Sequence, residues 1–403
     1  MSSPPDQLVY LDHAATTRVS APVRAAMAAA LDADFGNPSS RHPLGHAAAE
    51  ALAEARRTIG RALGAPAEGV IFTSGGTEAN NLALFGLAPE RPGGAVDVLV
   101  GPTEHPSVRV PAEDLAARGL AVERLPLAAD GALDLPAAAE RLAPSTALVA
   151  QMLVNNEFGT RYDVPRLARA IAARGGTGTH LHVDAIQALG KLPLDLGTLF
   201  GDRPGSVAIS GHKVHGPKGV GALVLSDACL HGGRRPRPMV RGGGQQGDLR
   251  PGTENVPGIL GLARAVELAV DELDAARAAT LAAREAFEAA LAGGALAGLG
   301  ARVLVPWHDA DHQAPHVLSV LVPGAPAEVW LHHLEERGVF ASAGSACQAK
   351  KSELSPALLA LGLDADQARH VLRFSFDAAT TVDEARAAVA TLDGLADTLA
   401  HLG

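Results

Sequence analysis

Cysteine is nearly absent. Only Cys229 and Cys347 occur in 403 residues, too few for a disulfide framework, so a reducing cytoplasm is the expected home. Aromatic residues make up only 3%, which beside the many Ala and Gly reads as compositional bias rather than a functional signal. No apolar run approaches bilayer length. The opening Met1-Ser-Ser-Pro-Pro-Asp-Gln7 has neither the basic end nor the apolar segment of a signal peptide, and none is expected. Positive charge is in deficit, 34 Lys and Arg against 44 Asp and Glu. The net charge of -10 argues against nucleic-acid backbones and anionic membranes as main partners. What remains, 47% hydrophobic and of this length, is a soluble globular chain of two or three domains.

Between Val70 and Leu225 apolar strands alternate with helical stretches, which implies a mostly parallel sheet covered by helices on both faces. Polar residues gather where those strands finish, the place an open α/β sheet offers a ligand. Val70-Ile-Phe-Thr73 runs into Ser74-Gly-Gly-Thr77 and a helix start. There glycine backbone and the first free N–H groups of the helix suit a phosphate, although a plain turn also fits. The spacing matches neither the P-loop nor the dinucleotide-binding glycine pattern. Val96 to Gly101 leads to His105, and Leu148 to Val154 leads to Asn155-Asn-Glu-Phe-Gly159. His180 to Val183 leads to Asp184, with Gln187 one helical turn later. A carboxylate at a buried strand end is costly unless a cation meets it, and a helix-capping Asp is the alternative.

The strand Ser206–Ile209 opens into Ser210-Gly-His-Lys-Val-His-Gly216, which sets Lys213 between two histidines. A lysine at the mouth of a buried strand suits attack on a carbonyl, and an ordinary strand-to-loop lysine is the competing reading. Together the signals specify a cofactor. A lysine for an aldehyde, a carboxylate for a ring nitrogen and a Gly-Gly-Thr helix start for a phosphate are what pyridoxal phosphate needs. Ser210 and His212 can add bonds to the phosphate, and His105 becomes a ring-stacking group and proton carrier. Arg373, on the strand Val371–Phe376, can hold a substrate carboxylate, unless it is only an edge charge. Cys347 follows Ala341-Ser-Ala-Gly-Ser-Ala346 and precedes a polar stretch with two lysines, where a thiol can ionise and act as a nucleophile.

These motifs resemble, nearly end to end, a cysteine desulfurase of the NifS/IscS type within the class V aminotransferases. The ordered set includes Leu11-Asp-His-Ala-Ala-Thr-Thr17, Phe72-Thr-Ser-Gly-Gly-Thr-Glu-Ala-Asn-Asn81, Glu104-His-Pro-Ser-Val108, His182-Val-Asp-Ala-Ile-Gln187, Ser210-Gly-His-Lys213, Arg250-Pro-Gly-Thr-Glu-Asn255 and Ser342-Ala-Gly-Ser-Ala-Cys347. The run before Cys347 resembles the first of the two desulfurase groups. The resemblance implies the α/β fold of pyridoxal-phosphate-dependent transferases (aspartate aminotransferase-like, fold type I). Residues 16–262 would form the large domain on a mostly parallel seven-stranded sheet. Residues 1–15 and 263–403 would form a smaller α+β domain, with the cysteine loop at about 342–354.

By motif, Lys213 would hold the aldehyde, His105 stack on the ring, and Asp184 and Gln187 meet ring nitrogen and ring oxygen. Gly76, Thr77, Ser210 and His212 would bind phosphate, with Gly211 beside them, and Thr253 would complete the phosphate site of a partner subunit in a homodimer. Asn155 and Arg373 would take the carboxylate of L-cysteine, and Cys347 would attack its sulfur, forming a persulfide and releasing alanine. No metal is implied. The chain departs from the family at Gln348-Ala-Lys-Lys351, where serine and glycine are usual, and no scaffold-docking tail is expected after the last helix. The sulfur-acceptor protein is therefore left open, among iron–sulfur cluster assembly and other thio-cofactor or tRNA pathways. A selenocysteine lyase and an aminotransferase or β-lyase of the same superfamily are the rival readings.

Overall fold

Seven short segments pair into one sheet, most of them apolar runs rich in Val, Ile and Leu. The computed structural model describes residues 8–128, 130–232, 235–344 and 354–400. The strands are β1 (Val70–Thr73), β2 (Val98–Val100), β3 (Val122–Arg124), β4 (Leu148–Met152), β5 (His180–Asp184), β6 (Gly205–Ser210) and β7 (Gly221–Leu225). Their order is 1-7-6-5-4-2-3, and only β7 runs antiparallel to its neighbours. All but the edge strand β3 are buried along their whole length, as a sheet with helices on both faces requires. Alternate residues feed two cores: Val149, Val183 and Val207 on one face, Leu148, Ala150 and Ala208 on the other.

A second sheet holds β8 (Arg302–Val303), β9 (Val317–Leu321), β10 (Ser342–Ala343) and β11 (Val371–Ser375), antiparallel in the order 10-11-9-8. Phe287, Trp330, Phe374, Phe376 and Leu392 fill its separate core beneath the helices Leu273–Gly293, Ala327–Glu336 and Val382–Leu399. Between Val256 and Gly293 the chain forms two helices that meet at Glu272.

Residues 9–17 tie the two sheets together. Val9–Tyr10 pairs in parallel with Val339–Phe340, and Ala14 N–H donates to Ser375 Oγ at 2.8 Å. Thr17 N–H then donates to the His212 carbonyl, also at 2.8 Å. The strand is therefore only two residues long. The rest is a connector whose carbonyls point at the end of β6.

Candidate active site

The carboxyl ends of β1, β2, β4, β5 and β6 converge on a cavity of about 240 Å³. Gly76, Thr77, His105, Asp184, Gln187, Ser210, His212, Lys213 and Arg373 all line it. Nine residues singled out from sequence are thus brought to one wall by topology alone.

At the end of β1 the chain turns through Gly75, whose φ of +152° only glycine adopts freely. Gly76 begins the helix Gly76–Leu87, and no side chain caps that helix. A Cβ on Gly76 would lie 2.1 Å from Ile186 Cδ1, so the backbone itself forms the wall. Uncapped N–H groups beside Thr77, Ser210 and His212 make a cradle that fits a phosphate. Burial, then the Lys213 and Lys218 charges, pull the His212 imidazole down to about 4, so it meets an anion as a neutral donor.

Asp184 is held by a relay. Asn80, fully buried, donates one amide hydrogen to Asp184 Oδ2 and the other to Ser107 Oγ, each at 2.8 Å. Its oxygen accepts from His182 Nε2 at 3.0 Å, so His182 Nδ1 accepts from Ser206 Oγ at 2.9 Å. Burial drives His182 down to about 3, which keeps this relay neutral. The second carboxylate oxygen, Oδ1, accepts from Ile186 N–H. His105 caps the helix Pro106–Ala117, and its Nδ1 accepts from Ser107 N–H at 3.1 Å. Its ring proton therefore sits on Nε2. Burial holds this imidazole below its ordinary value against the pull of Asp184.

Lys213 Nζ donates to the carbonyls of Ala14 and, at 2.8 Å, Ala15. Arg373 is buried; its guanidinium donates to Asp12 Oδ1 at 2.9 Å and to the Asn156 carbonyl at 3.0 Å. Its Nε is buried with no hydrogen-bond partner among the described residues, an unfilled demand for an acceptor beside the cavity.

Some residues stand elsewhere. Asn155 was expected at the substrate carboxylate, but its amide is engaged by its own loop and by the loop after β2. Oδ1 accepts from Glu157 and Phe158 N–H, and Nδ2 donates to the Thr103 carbonyl. Its neighbour Asn156 lines the cavity instead. Gly211 is buried behind the wall, where a Cβ would lie 2.8 Å from the Pro217 carbonyl oxygen. Thr253 is exposed and away from the cavity. Cys347 and most of its loop lie outside the described residues. On either side of that segment Gly344 stands by Glu157 Oε2, and Ser355 Oγ donates to the same carboxylate at 2.5 Å.

Sequence reasoning missed Asn80, Asp12, Glu104 and His316. Glu104, fully buried, is pushed up to about 8 by burial and by the Asp184 charge, which makes it a neutral acid beneath the site. Only helical spacing from Gly76 could have pointed to Asn80. Among the described residues no His, Cys, Asp and Glu group suits a metal, and no helix is long and apolar enough to cross a membrane.

Residues 9–387 match the model of the aminotransferase class-V family. A cysteine desulfurase of Sinorhizobium fredii is 38% identical over 374 residues, 91% of each chain. Among solved structures, a NifS-like protein superposes with a TM-score of 0.86 at 31% identity, covering 98% of this chain and 100% of its own. A structure titled SspA in complex with cysteine gives a TM-score of 0.74 at 30% identity, covering 91% of this chain and 98% of its own.

Proposed function

The chain belongs to the class-V aminotransferase family, and from that membership and the cavity's geometry we propose that it is a pyridoxal-phosphate-dependent cysteine desulfurase. The observation that carries this reading is the convergence of Lys213, Asp184 and the uncapped Gly76–Thr77 helix start on one cavity. The Gly76 cradle and the orphaned Arg373 Nε fit the cofactor and an amino-acid carboxylate. When bound, pyridoxal phosphate supplies an aldehyde for amines and a ring that takes up an electron pair from the substrate carbon.

The chain's own residues do the rest. Gly76, Thr77, Ser210 and His212 hold the phosphate, and the His105 ring covers one face of the cofactor. Asp184, fixed by Asn80, keeps a proton on the ring nitrogen, while Gln187 donates to the ring oxygen. Lys213 Nζ anchors the aldehyde and then moves a proton at the substrate carbon. Arg373 receives the carboxylate of L-cysteine, with Asn155 acting by shaping the loop that presents Asn156. The Cys347 thiolate attacks the substrate sulfur; the carbon–sulfur bond breaks, a sulfur–sulfur bond forms, and the carbon left behind takes a proton and leaves as alanine.

We place this chemistry in a cytoplasmic homodimer, in which Thr253 of each subunit serves the other's phosphate site. The exposure of Thr253 outside its own cavity supports that role. The separate cores support two units, with residues 9–11 in the second. The helix Val256–Asp271 stays in the first core as far as Val266, so the first unit runs past 262 to the end of that helix and the second, which carries the cysteine loop, follows it. The persulfide then passes to an acceptor protein of iron–sulfur cluster or other thio-cofactor or tRNA assembly.

The test is release of sulfide and alanine from L-cysteine with a reductant present. The native holoenzyme is expected to give the two in equal amounts and Cys347→Ala to give neither. Full activity in Cys347→Ala would put a lyase that needs no thiol in its place. A native protein active only on selenocysteine would make it a selenocysteine lyase.

A further inference from the structure

His316 is buried just ahead of β9, in the second unit, yet its ring reaches the cofactor wall. Its Nε2 lies 3.0 Å from Gln187 Oε1, and Gln187 Nε2 donates to the Ala14 carbonyl at 2.9 Å. That carbonyl also accepts from Lys213 Nζ. The proton assignments along this chain are forced. A carbonyl oxygen only accepts, so the Gln187 nitrogen must face Ala14 and its oxygen must face His316. The His316 Nε2 must then carry a hydrogen, and Nδ1 is the bare nitrogen. Nδ1 indeed has no hydrogen-bond partner among the described residues.

We infer that His316 is a positioning residue: its Nε2–H at one end and the Ala14 carbonyl at the other hold the Gln187 amide in place, so that its remaining N–H is aimed at the ring oxygen of the cofactor. The inference rests on the pyridoxal-phosphate reading. One amide hydrogen of Gln187 is spent on Ala14; the second remains, on a side chain that lines the cavity. Without His316 the amide keeps only its Ala14 anchor, about which it can swing, and its remaining N–H is no longer aimed at the ring oxygen. The ring stays neutral in this role. Burial and the surrounding Lys191, Arg284, Lys213 and Arg373 charges hold His316 well below its ordinary value, so it does not become a second cation.

The experiment is a pH titration of the visible absorbance of the bound cofactor in native holoenzyme, His316→Leu and His316→Gln. A donor at the ring oxygen favours the deprotonated, more anionic chromophore. Its loss in His316→Leu raises the titration midpoint by about one pH unit. His316→Gln, which sets an amide N–H near the place of Nε2, restores the native midpoint. A packing defect alone would lower the melting temperature of His316→Leu and leave the midpoint in place, which would overturn the inference. A native protein that binds no chromophore would instead overturn the cofactor reading itself. Should His316→Leu fail to fold, ¹⁵N imidazole shifts of the native holoenzyme decide the matter. A neutral His316 ring protonated on Nε2 upholds the assignment, and a proton on Nδ1 refutes it.

Discussion

Asp377 joins the connector, the lysine loop and the end of β11 through one carboxylate. His13 Nδ1 lies 3.0 Å and His215 Nε2 3.4 Å from its Oδ2, and Ala379 N–H donates to Oδ1 at 2.8 Å. Burial pushes this carboxyl up, but the His13 contact, the Ala379 N–H and His215 outweigh it and hold it at about 2. A carboxyl depressed in the fold stabilises above its ordinary value near 3.8, and that contribution is lost as pH falls through about 2. Asp377→Asn should therefore cost about 2 kcal/mol in urea melts at pH 7 and nothing by about pH 2. Residues that line the cavity were legible where polar side chains follow apolar strands: Lys213, Asp184, His105 and Gln187. Their supports were not. Asn80 meets Asp184 across 104 positions, Arg373 meets Asp12 across 361, and His316 meets Gln187 across 129, separations at which spacing carries no signal. Asn155 stands at a strand end as a ligand would, while in this structure its amide bonds its own turn and the Thr103 carbonyl.

The strand ends and the helix start form a site only because β7 lets them approach. A Cβ on Gly221 would lie 2.5 Å from the Ile209 carbonyl oxygen and 2.8 Å from the Gly75 backbone, neither of which can swing aside. Gly221→Ala is accordingly expected to cost about 1–3 kcal/mol and to push the phosphate loop out of place. Cofactor release, followed by absorbance after dilution, should quicken more than the loss of stability alone accounts for. An unchanged release rate would show that Gly75 does not feel β7. Alternation of strand and helix disclosed the parallel sheet, while the reversal of β7 was hidden because a fully buried strand reads the same in either direction. What local sequence does not announce is where the small residues after the first short strand bond: Ala14 reaches across to Ser375 and Thr17 to His212.

The large sheet has a core on each face, the second sheet has its own, and the site's cavity takes lining residues from both sheets. Phe287 is fully buried in the second sheet's core, against Phe374 at 4.7 Å between ring centroids. Phe287→Ala should cost about 3–5 kcal/mol in the second unit, by lost burial and a cavity. Excess pyridoxal phosphate should recover part of that loss, because a ligand that binds only the folded state stabilises it. Calorimetry with and without the cofactor reads both effects, and a melting temperature indifferent to the cofactor would mean that the cavity does not hold it.

Sulfur transfer to Cys347 is read out in a single turnover without reductant. Native holoenzyme mixed with one equivalent of L-cysteine should yield one alanine per subunit, and the peptide carrying Cys347 should gain the mass of one sulfur atom. Alanine or sulfide formed while that peptide keeps its original mass would contradict the account.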